Sequence, residues 1–153
     1  MRKPDRTLPP YRASLAGRLL AAREAVMGPI RPILRTANVT EQQWRVLRVL
    51  SEKAAMDVST IADLALLHGP SVTRILKELS ERGLIQRSID PADARRSVVE
   101  ISPAGRSLIA ETSVHVRRVM ERYAEAFGPR RMAKFQVDLG DFVHAMEQLN
   151  VDE

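Results

Sequence analysis

The sequence contains no cysteine. Disulfides and thiolate metal sites are excluded, and the absence suits a reducing cytoplasm, where the protein is expected to reside. Histidine is scarce: His68, His115 and His144 are far apart and form no His-x-x-x-His or Glu-x-x-His pair. No metal site is expected from them. There is no glycine-rich phosphate loop and no nucleophile elbow, so neither an enzyme nor a cofactor is expected. Ser71 in "GPSVT" superficially resembles a nucleophile, but the chemistry of a helix start explains it better. No run of 18 apolar residues exists, so no membrane span is expected. The first residues, "MRKPDRTLPPYR", lack the apolar core of a secretory signal.

What is present is a chain of 153 residues with 44% hydrophobic and 28% charged residues. That balance suits one folded domain with a modest core. The net charge is +5. Residues 1–53 hold 11 Lys/Arg against 4 Asp/Glu, while residues 54–100 hold 6 against 7 and residues 101–153 hold 7 against 8. A basic chain is a candidate for nucleic acid. Here the excess lies in the first third, so arrangement must carry that argument.

Residues 1–12 are charged and proline-rich and read as a mobile arm. A helical pattern begins at Ala13, with Leu15, Leu19, Ala22, Val26, Ile30 and Ile33 on one side. Gly28, Pro29 and Pro32 interrupt it. Thr40 and Gln43 form a capping box for the next helix, with Val39 stapled onto Trp44. Trp44, Leu47 and Leu50 form its inner face. A shorter helix spans Ser59 to Leu66, with Ile61 and Leu64 inward. Another starts at Pro70, buries Val72, Ile75, Leu76 and Leu79, and stops at Gly83. A hairpin over residues 84–89 and 97–101 follows. Ser102-Pro103 opens a long helix to Phe127, and Gly128-Pro129 breaks it. The last helix carries Met132, Phe135, Leu139, Phe142, Met146 and Leu149, a seam suited to another helix.

The expected fold is mainly α with a small β-hairpin wing. A winged helix-turn-helix over residues 40–101 lies between terminal helices, 13–36 and 103–150, expected to dimerise. The outer face of residues 70–82 presents Ser71, Thr73, Arg74, Lys77 and Glu78. Short hydroxyls and long cations of this kind bond phosphates and base edges. Taken alone, the same pattern fits an ordinary amphipathic helix. The hairpin beside it favours DNA. Its tip, "DPADARR", has a turn at Asp90-Pro91, Asp93 to steady an arginine or an amide, and Arg95 and Arg96 to enter a minor groove.

"DPADARRSVVEISPAG" resembles the wing signature of the MarR-type transcriptional regulators, with Asp93, Arg95, Ser102 and Gly105 in matching places. "VTRILKELSERGLIQR" is similar to that family's recognition helix and the strand after it. The resemblance implies a homodimer that binds an inverted-repeat operator in double-stranded DNA and is released by a phenolic or aromatic acid. Residues 19–50, with Ala-Arg-Glu-Ala, Arg-Pro and Thr-Glu-Gln-Gln-Trp-Arg in order, resemble the repressors of homoprotocatechuate (4-hydroxyphenylacetate) degradation operons. Gly69 stands where those repressors carry arginine.

Candidate effector residues are Arg23, Met27, Trp44 and Arg45. Guanidinium groups beside aromatic and apolar surface suit an aromatic carboxylate. Each has a plainer role open to it: Trp44 fits a core, Arg23 fits an ion pair, and Met27 fits packing. Two further readings remain, a DNA-binding regulator without ligand control and a winged-helix protein-interaction module.

Overall fold

The structure is a computed structural model, and it describes residues 8–151. It divides into two compact units, the first ending at Ser113 and the second beginning at Val114.

In the first unit, Tyr11–Ala13 form a single 3₁₀ turn, then α1 spans Leu15–Met27, α2 Ile30–Thr36 and α3 Glu41–Glu52. The expected arm therefore ends earlier than residue 12, and its residues 1–7 lie outside the described chain. Ser14 caps α1 by accepting the Gly17 N–H at 3.1 Å, which sets the helix start at Leu15 rather than Ala13. Gly28 and Pro29 separate α1 from α2, whereas Pro32 sits within the first turn of α2, where its missing N–H costs nothing.

Strand β1, Met56–Asp57, leads into α4, Val58–Ala65, and α5 covers Gly69–Glu81. Strands β2, Ile85–Asp90, and β3, Asp93–Ile101, complete an antiparallel sheet of order β1-β3-β2. Three findings differ from the sequence-based expectation. The hairpin is part of a three-stranded sheet, because Met56 pairs with Val99 and Asp57 with Val98. Its strands run longer, to Asp90 and from Asp93, but the register slips there: Ile89 faces Ser97 and Asp90 faces Asp93, so Arg95 and Arg96 stand in an unpaired stretch of β3 next to the turn at Pro91 and Ala92. Leu64 points outward at 46% exposure, since α4 buries Ile61, Ala62 and Ala65 instead.

The core is aliphatic. Leu34, Val46, Leu47, Leu50, Ile61, Val72, Ile75, Leu76, Leu79 and Val99 are almost wholly buried. They join α2, α3, α4, α5 and the sheet into one layer-on-layer unit. Of the apolar stripe read on the first helix, Ile30 is buried, but Leu15, Leu19 and Val26 are exposed.

The Ser-x-x-Gly start of α6, Pro103–Phe127, has a physical reason. Buried Ser102 donates its hydroxyl to the Gly83 carbonyl at 2.6 Å and accepts the Gly105 N–H at 3.1 Å. This pins the end of the sheet to the turn after α5. Gly105 permits the approach, because a Cβ there would meet the Leu84 carbonyl oxygen and would come within 2.7 Å of the Ile101 side chain.

In the second unit, the remainder of α6 is followed by Gly128 at φ +99° and by α7, Pro129–Val151. Phe127 and Phe135 meet edge to face at 5.9 Å, with Arg131 over the Phe127 ring at 4.4 Å. Along α7, Phe135, Met146 and Leu149 are exposed, and Met132, Leu139 and Phe142 are half-exposed.

Two glycine substitutions separate crowding from propensity. Gly105→Ala should cost about 1–3 kcal/mol, the usual penalty for overpacking. Gly140→Ala, on α7 with nothing within 4 Å of the added methyl, should stabilise by about 0.5–1 kcal/mol. Urea unfolding of both variants checks the two signs.

Candidate nucleic-acid interface

Helix α5 is two-faced. Val72, Ile75, Leu76 and Leu79 anchor it in the core. On the other side Thr73, Arg74 and Lys77 are exposed, and Ser71 is half-buried near the helix start. Pro70 supplies a preset φ for the first turn. Leu66, in the left-handed region at φ 54°, ends α4 and turns the chain toward α5. The Thr73 hydroxyl donates to the Gly69 carbonyl at 3.3 Å, which leaves its oxygen free to accept. Arg74 lies 3.5 Å from Glu78 and Lys77 lies 4.0 Å from Glu81. Such exposed i,i+4 pairs are worth about 0.2–0.5 kcal/mol, little enough for a phosphate to displace.

The wing presents Arg95 at 93% side-chain exposure. Its backbone N–H donates to Asp93 Oδ1 at 3.0 Å and its Nε to the same oxygen at 3.4 Å. Asp93 thus fixes the backbone beneath the side chain and loosely orients the guanidinium. Arg96 instead turns toward the neighbouring strand and bonds Asp57. The two adjacent arginines hold different positions: Arg95 stands clear of the ribbon, and Arg96 ties it to α4.

Arg23 lies beside two carboxylates. It bonds Glu41 and reaches Glu24 at 3.3 Å. Arg31 completes the cluster, with bonds to Glu24 at 2.8 and 2.9 Å and a contact to Glu41 at 3.4 Å. The Arg31 hydrogen bond holds the Glu24 carboxyl below its usual range. Met27 is half-buried at the end of α1.

Trp44 is only 7% exposed, and the Arg48 guanidinium lies 5.2 Å from its ring. Arg45 donates from one terminal nitrogen to the Leu66 carbonyl at 3.3 Å. Among the described residues, Trp44 Nε1 and Arg45 Nε are the buried side-chain donors without an acceptor. Burial, and then the nearby positive charge of Arg23, hold the Arg45 guanidinium below the ordinary arginine range. Trp44 and Arg45 therefore carry surplus buried donors, while the charge of Arg23 is met by Glu24 and Glu41. By contrast, a cleft of about 530 Å³ lined by Arg35, Thr40, Gln43, Glu78 and Arg82 contains polar groups that bond one another.

Reading the sequence missed Asp57 and Glu41, and it placed Glu78 on the outer face of α5 without giving it a role. Asp57 had a signal: it directly precedes "VSTIADLA", an acidic N-cap position, and it accepts the Thr60 N–H at 2.8 Å. Glu41 had none, since Arg23 lies 18 residues away in the chain, and the tie between Glu78 and Gln43, 35 residues apart, was equally unreadable. Among the described residues, no cluster of acidic, histidine or cysteine side chains could hold a metal ion, and no helix is long and apolar enough to cross a membrane.

Residues 39–97 match the MarR family. The chain is 34% identical over 138 residues to the HTH-type transcriptional regulator FarR of Neisseria gonorrhoeae, covering 90% of this chain and 94% of that one. It is 32% identical over 130 residues to the homoprotocatechuate degradative operon repressor of Escherichia coli, covering 85% and 88%. Among solved structures, NadR in complex with 4-hydroxyphenylacetate superposes with a TM-score of 0.77 at 33% identity, covering 89% of this chain and 96% of NadR.

The Asp57 carboxyl is held below its usual range, first by the Thr60 N–H, then by the Thr60 hydroxyl and Arg96. A lowered carboxyl contributes stability above its unfolded value, about 3.9, and loses it as pH falls through the folded value. Asp57→Asn keeps a capping oxygen but loses the charge. The variant should be less stable than wild type at pH 7, and the gap should close as pH falls below about 4. Thermal unfolding from neutral pH down to strongly acidic buffer measures this.

Proposed function

The chain belongs to the MarR family of transcriptional regulators, and we propose that it is a cytoplasmic, dimeric repressor of an aromatic-catabolism operon. It binds an inverted-repeat operator and leaves it when a phenolic or aromatic acid binds.

One observation carries the DNA reading: Thr73, Arg74 and Lys77 on α5 and Arg95 on the wing that follows it are all exposed. Ser71 stands at the start of the same helix. The helix fits a major groove, where Arg and Lys reach guanine edges or phosphates. The ribbon with Arg95 fits the adjoining minor groove. Arg96 contributes through its bond to Asp57, which sets the pitch of that ribbon.

Dimerisation would use helices over residues 13–36 and 103–150. The apolar side chains along α1 and α7, among them Leu15, Leu19, Phe135 and Met146, are exposed in the single chain. A two-fold partner would cover such surface. It would also set two recognition helices roughly 34 Å apart, one turn of DNA.

The effector reading rests on the surplus donors. Trp44 Nε1 and Arg45 Nε are buried without acceptors, and Arg23 adds charge beside them. An aromatic carboxylate answers all three needs: it accepts hydrogen bonds, neutralises charge and offers a ring to the surface of Trp44 and Met27. NadR binds 4-hydroxyphenylacetate in its complex, which makes that acid the first to try.

The test uses a duplex that the protein selects from random sequence. Arg74→Ala and Lys77→Ala should weaken binding. If the side chain meets a base edge, its removal should reduce sequence discrimination by about 1–3 kcal/mol. If it meets a phosphate, its removal should weaken all sequences alike and lower the salt slope by about one. Unchanged binding in both variants would contradict the placement of α5. In the same assay, 4-hydroxyphenylacetate should release wild type and should release Arg23→Ala only at higher concentration. Light scattering should give a dimer for wild type and monomer or aggregate for Leu139→Glu.

A further inference from the structure

The first turn of α3 is bonded on both sides. Glu41, at its first position, bonds Arg23 of α1 and contacts Arg31 of α2 at 3.4 Å. Gln43, two residues on and only 7% exposed, faces the other way. Its Oε1 accepts the Thr40 N–H at 3.0 Å and Arg82 at 3.5 Å, and its Nε2 donates to Glu78 Oε2 at 2.8 Å. The other oxygen of Glu78 lies 3.5 Å from Arg74. A continuous chain of polar contacts therefore runs from Arg23 through one helical turn to Arg74.

Resting on the effector reading above, we propose that this turn relays effector binding to the DNA-contacting face. Glu41 holds the arginine that a carboxylate ligand would take, and Gln43 passes its release to Glu78 and Arg74.

The physical case has two parts. First, a carboxylate ligand competes with Glu41 for Arg23, whose Nη2 bonds Glu41, and a ligand that takes this nitrogen displaces Glu41 from it. Glu41 is the first residue of α3, and losing one of its two arginine partners leaves the helix start held by Arg31 alone and looser. Second, Gln43 belongs to that same turn, and its amide has no slack. Its oxygen serves the helix cap while its nitrogen serves Glu78. A shift of the turn therefore moves Glu78 or breaks its bond, and either change alters how Arg74 is held. A ligand can drive such a change only by its differential affinity for the two arrangements. Competition between two carboxylates for one arginine supplies that difference.

Two substitutions test the relay, with 4-hydroxyphenylacetate as the ligand and the selected duplex as DNA. Glu41→Gln keeps the shape and removes the competing charge. It should bind the acid roughly two- to fivefold more tightly by calorimetry, the equivalent of one exposed ion pair. Gln43→Glu keeps an acceptor for the Thr40 N–H, but it buries a charge, so its thermal midpoint should fall and it is compared with wild type well below that midpoint. It replaces the donor to Glu78 with a second carboxylate. It should bind the acid as wild type does, yet the acid's effect on DNA affinity should fall below about twofold, from the roughly 5- to 150-fold typical of coupled sites. If Glu41→Gln binds the acid no more tightly, or Gln43→Glu leaves DNA at the wild-type acid concentration, the relay is wrong and the repressor reading stands. If wild type binds the duplex but the acid neither binds nor releases it, the effector reading fails and the relay fails with it.

Discussion

The capped start of α3 holds together the rest of the first unit. Thr40 and Gln43 satisfy each other's backbone donors there, a reciprocal arrangement that removes two of a helix's four orphan N–H groups. The same turn fixes where Trp44, Val46 and Leu47 enter the core, and it spaces α1 and α2 from α5. Its neighbours on both sides are charged, and its own polar atoms are used. A helix start bonded on every side transmits a displacement rather than absorbing it.

Around that turn, apolar and polar work is divided by face. The core is built from branched aliphatic residues that pack closely and resist deformation. Helix α5 commits one face to that core and keeps the opposite face for cations and a hydroxyl. The sheet does the same, with Val99 inward and Glu100 outward. The pairing of β1 with β3 matters because it brings Asp57 beside Arg96, so the ribbon is braced against α4. A free two-stranded hairpin is marginal in water. The third strand and the Asp57–Arg96 pair give this one a defined direction.

Helix period, caps and turn residues are local, and so they were legible. Helices α3, α5, α6 and α7 lie where Thr40, Pro70, Gly83, Ser102-Pro103 and Gly128-Pro129 place them. A two-residue strand such as β1 has no periodicity to read, and its identity comes from its partner on β3, far along the chain. Arg95 and Arg96 looked alike because a sequence shows adjacency but not the slip in register that leaves both residues unpaired on β3. In space, one points to solvent and the other to Asp57. Leu64 misled for a related reason: a single-turn spacing from Ile61 fits a helix face, but the closer fit of Ala62 and Ala65 against the core rotates the helix. Trp44 and Arg45 were legible as candidates. Only the folded arrangement reveals that their buried donors lack acceptors.

Trp44 is the sole tryptophan, so its fluorescence reports on the proposed effector corner without a label. The central claim is that this corner and the DNA face share one free energy. Coupling of that kind is reciprocal: the factor by which ligand weakens DNA binding must equal the factor by which DNA weakens ligand binding. Trp44 emission should be titrated with 4-hydroxyphenylacetate, first on free protein and then on protein saturated with its selected duplex. The account predicts a ligand Kd that rises on DNA by the same factor as the DNA Kd rises in ligand. A Trp44 response with one ligand Kd, whether or not DNA is bound, would contradict it.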